Sequence, residues 1–228
     1  MPSERGPVPG ILWRFPLTNP TDDSLTSRGL APDGRGRILV IGCGALAHEI
    51  LALKSLNGWS HLDLTCLPAI WHNHPDRIVP GVRDAVERHR EGYDSILVAY
   101  ADCGTGGALA RLCTEMGVAM IAGPHCYAFY DGLASFDAHA EDEITSFYLT
   151  DFLTRQFDAF VWRPLGLDRH PELIEAYFGN YERLVYLAQT DDPALDLAAQ
   201  RCAERLGLAY ARRVTVYGDL ETFLAPRR

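Results

Sequence analysis

Three of the six cysteines stand in glycine-bearing turns: GCGALA (42–47), YADCGTGG (100–107) and GPHCY (123–127). Each turn follows a short apolar run that reads as a β-strand, so Cys43, Cys103 and Cys126 all fall within a few residues of a strand's carboxyl end. Ligands of open α/β sheets bind outside those ends, and the three thiols are therefore expected to converge. Thiolates are soft ligands, and three of them suit an iron–sulfur cluster or Zn²⁺, either with one position open for substrate. Neighbouring strands lie about 4.8 Å apart, which leans toward sulfurs spanning a four-iron cluster over closing on one zinc ion. Cys66, in mid-strand, and Cys113 and Cys202, on helix faces, read as small buried hydrophobes.

Proton-handling groups stand next to the thiols. His125 and Tyr127 flank Cys126, Asp102 precedes Cys103, and Glu143 lies in the aromatic-rich EDEITSFYLTD (141–151), which makes these four the candidate acids and bases. The backbone amides of Gly44, Gly106 and Gly107 are candidates for orienting anionic oxygens of a substrate. His170, Tyr177 and Asn180, in GLDRHPEL (166–173) and YFGNYERL (177–184), are candidate substrate contacts on short loops. Helix capping by Asp168 competes with that reading. His72 and His74 in WHNHP point to opposite sides of an extended loop; one of them is within reach of the site because the loop follows a strand end, with a polar turn the favoured reading. Helix N-termini following Cys43 and Cys103 would lower a thiol's pKa, so a metal-free enzyme with Cys103 as nucleophile is the alternative chemistry. IGCGALA (41–47) matches a dinucleotide turn with Asp63 about twenty residues on. Asp63 lies inside its strand, however, and no nucleotide is expected.

These residues need a scaffold of alternating strands and helices. RILVIG (37–42), HLDLTCLPA (61–69), YDSILVAYA (93–101), VAMIAG (118–123), RLVYLAQT (183–190) and LAYARRVTVYG (208–218) read as strands. Helical segments separate them, with a long helix expected from 137 to 160. The pattern predicts an α/β fold: a doubly wound, mostly parallel sheet with helices on both faces, and an aromatic-rich helical cap over about 127–181. Residues 1–35, rich in Pro and Gly, read as a flexible leader, and residues 36–228 as one domain. The chain carries a formal charge of −9 with 47% hydrophobic and 22% charged residues. Nucleic-acid partners are disfavoured because no basic stripe answers phosphate. No apolar run reaches the roughly 18 residues of a membrane span. Without a signal-like block, a cytoplasmic protein with reduced thiols is expected.

With GCGAL, ADCGTGG, GPHCY, FYLTDFL, GLDRHPEL and YFGNYERLVYLAQT in view, the chain resembles the uncharacterised bacterial and archaeal family catalogued as domain of unknown function 1638, over nearly everything from residue 37 to 218. Cys43, Cys103 and Cys126 lie inside those blocks and Glu143 beside one. Members of that family often neighbour genes for corrinoid-dependent methyl transfer from methylated amines, so the resemblance implies a one-carbon setting. The leading expectation is a metal-dependent enzyme of lyase or methyltransferase type, acting on a small polar substrate through the three-cysteine site. The expectation of another class is a non-enzymatic accessory protein that meets a corrinoid protein or methyltransferase, with the corrinoid supplied by that partner.

Overall fold

The computed structural model describes residues 19–225. Two all-parallel sheets share one continuous hydrophobic core. The first sheet contains β1 (Ile38–Cys43), β2 (Leu62–Leu67), β3 (Ser95–Ala99) and the short β4 (Ala119–Met120), in the order β2-β1-β3-β4. Helices α2 (Ala47–Leu56), α3 (Ile78–His89) and α4 (Ala108–Met116) are its crossovers. The ILVIGC run of β1 takes the centre because it is buried along nearly its whole length, as a strand covered on both faces must be. The second sheet contains β5 (Ser146–Thr150), β6 (Arg183–Ala188) and β7 (Ala209–Val214) in that order. Helix α9 (Pro193–Leu206) connects β6 to β7, capped by the Asp192 side chain at one end and by Gly207 at φ 72° at the other.

The α/β class and the parallel pairing agree with the sequence reading, but the strands divide between two sheets. The long helix expected over 137–160 does not exist. Helix α6 (Leu133–His139) ends early, β5 follows, and α7 (Asp151–Arg155) begins where β5 stops. The region expected to be a helical cap therefore contributes an edge strand to the second sheet. Residues 19–35 also depart from a flexible leader: α1 (Asp22–Ser27) buries Leu25 completely. Its backbone lies so close to the first turn that a Cβ on Gly44 would stand 2.4 Å from the Leu25 carbonyl oxygen. Residues 1–18 lie outside the described residues. No helix among the described residues is long and apolar enough to cross a membrane.

Helix α5 (Cys126–Asp131) couples the sheets, packing against β5, β6 and the carboxy-terminal helix α10 (Gly218–Leu224). The carboxyl edge of the first sheet thus faces the second sheet, with α5 between them.

Candidate functional site

Register explains why the thiols meet. Gly42 of β1 pairs with Ala99 of β3, and Val98 of β3 with Met120 of β4, so the three strands end at nearly one level. Beyond the strands the β3–β4 pairing continues loop to loop. The Asp102 N–H donates to the Gly123 carbonyl and the Cys103 N–H to the Pro124 carbonyl, each at 3.1 Å. The second bond sets Cys103 beside the start of α5, and the Cys103 and Cys126 sulfurs approach to 3.5 Å. Cys43, the last residue of β1, stands just outside that contact, next to Cys126. No three His, Cys, Asp or Glu side chains among the described residues already form a ligand group.

The thiols hold different protonation states. The Cys126 thiol donates to Cys103 and, with His72 beside it acting the same way against burial, the Cys103 thiol is held down to about 5. Cys43 is also lowered, chiefly by Cys126. Cys126 itself is pushed well up by the two sulfurs it serves. Cys126 is thus the thiol that keeps its proton, between two sulfurs whose pKa is lowered. Cys103 pays a backbone cost to be there: its φ of 45° is one of two positive values among the described non-glycine residues. Strain of this kind, on the order of 1 kcal/mol or more, collects at functional sites.

A cavity of about 320 Å³ opens above the Cys43 and Cys126 sulfurs, with Cys103 behind its wall; it is lined on one side by Cys43, His72 and Cys126 and on the other by Tyr148 and Tyr181. His125 and Tyr127 stack on each other at 5.0 Å between ring centroids, and Tyr127 stacks on Tyr148 at 5.1 Å, forming an aromatic wall. Burial lowers the His125 pKa, so this imidazole is neutral at neutral pH. His72 is accessible to solvent entering the cavity, yet the Cys103 thiolate beside it raises its pKa. Three buried hydroxyls in this region, on Tyr100, Tyr130 and Ser146, have no hydrogen-bond partner. Burial raises Tyr100 far above its ordinary value, with Cys43 acting the same way, which puts the Tyr100 hydroxyl behind that sulfur.

The other expected residues divide. His125 and Tyr127 do line the cavity. Asp102 does not serve as an acid or base there: its carboxylate accepts from the Thr105 hydroxyl at 2.7 Å and from the Gly106 and Gly107 amides at 3.1 and 2.6 Å. Those two amides are therefore spent inside the loop and cannot orient a substrate oxygen, and Gly44 serves the tight approach to α1. Glu143 precedes β5 and is bound to Tyr148, at 2.6 Å, and to Arg213. Against the upward pull of burial, those two partners hold its carboxyl below the ordinary range, which makes it a prop for the aromatic wall. His170 bonds Glu172 in its own exposed loop. Tyr177 and Asn180 are exposed and also stand away from the cavity wall, where the neighbouring Tyr181 is found instead. Asp63 accepts from the Asp33 and Gly34 amides and the Tyr93 hydroxyl, which overcome its burial and hold it down to about 2. It is a structural clasp, and GCGALA is a tight turn.

His72 is the residue that the sequence reading set aside in favour of a polar turn. Its spacing from His74 argues only that the two do not chelate together, and a single imidazole following a strand end was the available signal. No curated protein matches the chain. The family match begins at Cys66, so it takes in His72, Cys103 and Cys126 and leaves Cys43 and β1 outside, a shorter reach at the amino-terminal side than the sequence blocks suggest. Over residues 66–224, carrying two of the three thiols and most of the cavity wall, this chain belongs to the family described as Protein of unknown function (DUF1638).

Proposed function

We propose that the protein is a metal-dependent enzyme that holds a single zinc-type ion on Cys43, Cys103 and Cys126 and acts on a small molecule in the aromatic cavity above them. The observation that carries this reading is the 3.5 Å approach of two sulfurs from different strand ends, with a third beside them. Two thiolates on one tetrahedral zinc, each about 2.3 Å from the ion, stand roughly 3.8 Å apart. A four-iron cluster keeps each cysteine on a separate iron and wants the sulfurs further apart, so the separation favours the single ion over the cluster. Two thiols already lowered, with the Tyr100 hydroxyl beside Cys43, suit a site that binds thiolates and hydrogen-bonds them from behind.

A thiolate-bound zinc ion with an open position supplies Lewis acidity. The chain supplies the rest. His125, its pKa lowered by burial, is the base that accepts a substrate proton, and His72, its pKa raised by the Cys103 sulfur beside it, is the donor that returns one. Tyr127 and Tyr148 hold a flat or apolar substrate face against the wall. A base and an acid around a polarised group support a lyase-type reaction. The cavity volume sits at the small end of ligand pockets, which favours a small substrate over a corrin ring.

The lowered pKa and left-handed backbone of Cys103 favour one second reading, a metal-free enzyme in which the Cys103 thiolate is the nucleophile. Metal analysis of protein purified without air separates the two. The expected result is colourless protein with about one zinc per chain, lost in Cys103→Ser and in Cys126→Ser while the fold persists. Metal-free protein whose Cys103 is alkylated by iodoacetamide with a midpoint near pH 5 transfers the assignment to the nucleophile. Brown protein with roughly four irons restores the cluster. Metal-free protein that retains a corrinoid protein on a column overturns both enzyme readings in favour of an accessory role.

A further inference from the structure

The two closest sulfurs of the site are also close enough to bond to each other. Cys103 and Cys126 stand 3.5 Å apart and a disulfide measures about 2.05 Å, so the sulfurs must close by roughly 1.5 Å. Their backbones already run side by side, with the Asp102 and Cys103 amides donating to the Gly123 and Pro124 carbonyls at 3.1 Å each. That pairing holds two residues 23 apart in sequence face to face. Slack for the approach lies in the turn at Cys103, whose own φ is 45° and whose next residue, Gly104, has φ 82°. Access differs between the sulfurs. Cys126 is half-buried and lines the cavity, whereas Cys103 is buried behind it. Cys66 in β2, Cys113 in α4 and Cys202 in α9 are buried and line no part of that cavity.

We propose that Cys103 and Cys126 are a redox pair, which a hydroperoxide small enough to enter the cavity closes to a disulfide, taking two of the three ligands from the ion. The effect on the ion rests on the zinc reading; the disulfide itself does not. With hydrogen peroxide as oxidant, the Cys126 sulfur gives its proton to Cys103 across their contact and attacks one peroxide oxygen. An S–O bond forms, the O–O bond breaks, and the departing hydroxide takes a proton from solvent, leaving sulfenic acid on Cys126 and one water. The Cys103 sulfur then attacks the Cys126 sulfur. An S–S bond forms, the S–O bond breaks, and the second hydroxide leaves as water with the Cys103 proton. Two electrons have passed from the sulfurs to the peroxide. A disulfide offers zinc no thiolate, and Cys43 alone cannot keep the ion, so oxidation empties the site and reduction restores it.

The test treats the full chain with a small excess of hydrogen peroxide, both as purified without air and after stripping with a chelator. Non-reducing peptide mass mapping reads the link, and a zinc-responsive dye reads the ion. A Cys103–Cys126 disulfide is expected in both samples, with all bound zinc released in step with it and taken up again after dithiothreitol. Cys66, Cys113 and Cys202 stay thiols. Cys43→Ser still forms the link, and Cys103→Ser stops at a sulfenic acid on Cys126 that dimedone traps. A disulfide to Cys43, oxidation beyond sulfenic acid without a link, or zinc released with both thiols intact each overturns the proposal. Zinc-loaded protein that keeps its ion and its thiols in peroxide also overturns it and leaves the zinc reading standing. Protein that holds no metal and still forms the link supports the pair and removes the zinc reading.

Discussion

Asp151→Ala is expected to destabilise the protein by about 4 kcal/mol or more, a loss reserved for broken buried networks. Asp151 is 1% exposed and opens α7 directly after β5. One carboxylate oxygen accepts from the Tyr186 hydroxyl at 2.6 Å and the Gln189 amide at 3.0 Å, and the other from the Thr190 amide and hydroxyl at 3.0 and 2.6 Å. In return, the Asp151 amide donates to the Gln189 side chain at 2.8 Å. Truncation leaves two buried donors, the Tyr186 hydroxyl and the Gln189 amide, without an acceptor, each costing about 1–3 kcal/mol, and removes a negative charge from a helix N-terminus. The carboxylate ties the end of β5 to the end of β6, and β5 carries the Tyr148 wall of the sulfur cavity. Urea unfolding checks this against Asp151→Asn, which keeps one acceptor and is expected to lose about half as much. A loss under about 1 kcal/mol for the alanine variant would mean that the network contributes little.

How far the sequence carried the reading depended on which signals were local. Convergence of Cys43, Cys103 and Cys126 was legible because strand–turn–helix units place turn residues at one sheet edge whatever the remaining topology. The division into two sheets was not legible, because β5 was hidden inside an apparent helix. Ile144, Phe147, Leu149, Phe152, Leu153 and Phe157 approximate a helical stripe only when a strand and the helix after it are read as one element. Their burial breaks the stripe, with Ile144 81% exposed and Leu149 fully buried. The β-rich composition of SFYLT was the competing signal. In DCGTGG, an Asp two to five residues ahead of glycines is the mark of a side chain capping its own loop, and that local bond is what removes Gly106 and Gly107 from substrate binding. Helix α1 escaped because one buried leucine among polar residues has no period; it is held by packing on residues distant in sequence. Glu49 gave no sequence signal at all, since an acid in the first turn of a helix is ordinarily a solvated, dipole-stabilising group.

Glu49→Gln is expected to change how stability depends on pH. The carboxyl rises from an ordinary value near 4.5 to about 7 on folding, with burial the largest cause. A raised carboxyl binds its proton more tightly in the folded chain than in the unfolded one. Its contribution is therefore fully present below pH 4.5, falls as the unfolded chain ionises alone, and levels off once the folded carboxyl ionises too, above about pH 7. Across that window wild-type protein loses roughly 3 kcal/mol through this one group. Glutamine has the same shape and cannot ionise, so it removes the slope and keeps the packing of α2 against its neighbours. Its amide still lacks partners beside Tyr130, which costs about 1–3 kcal/mol at every pH. The variant is accordingly expected to be less stable than wild type near pH 4.5 and comparable or more stable at pH 8. The difference between the two proteins should shift by roughly 3 kcal/mol between those conditions. Urea midpoints measured at half-unit intervals from pH 4.5 to 8 give this difference directly, with the other titrating neighbours common to both proteins. Parallel curves would mean that Glu49 ionises normally in the folded chain.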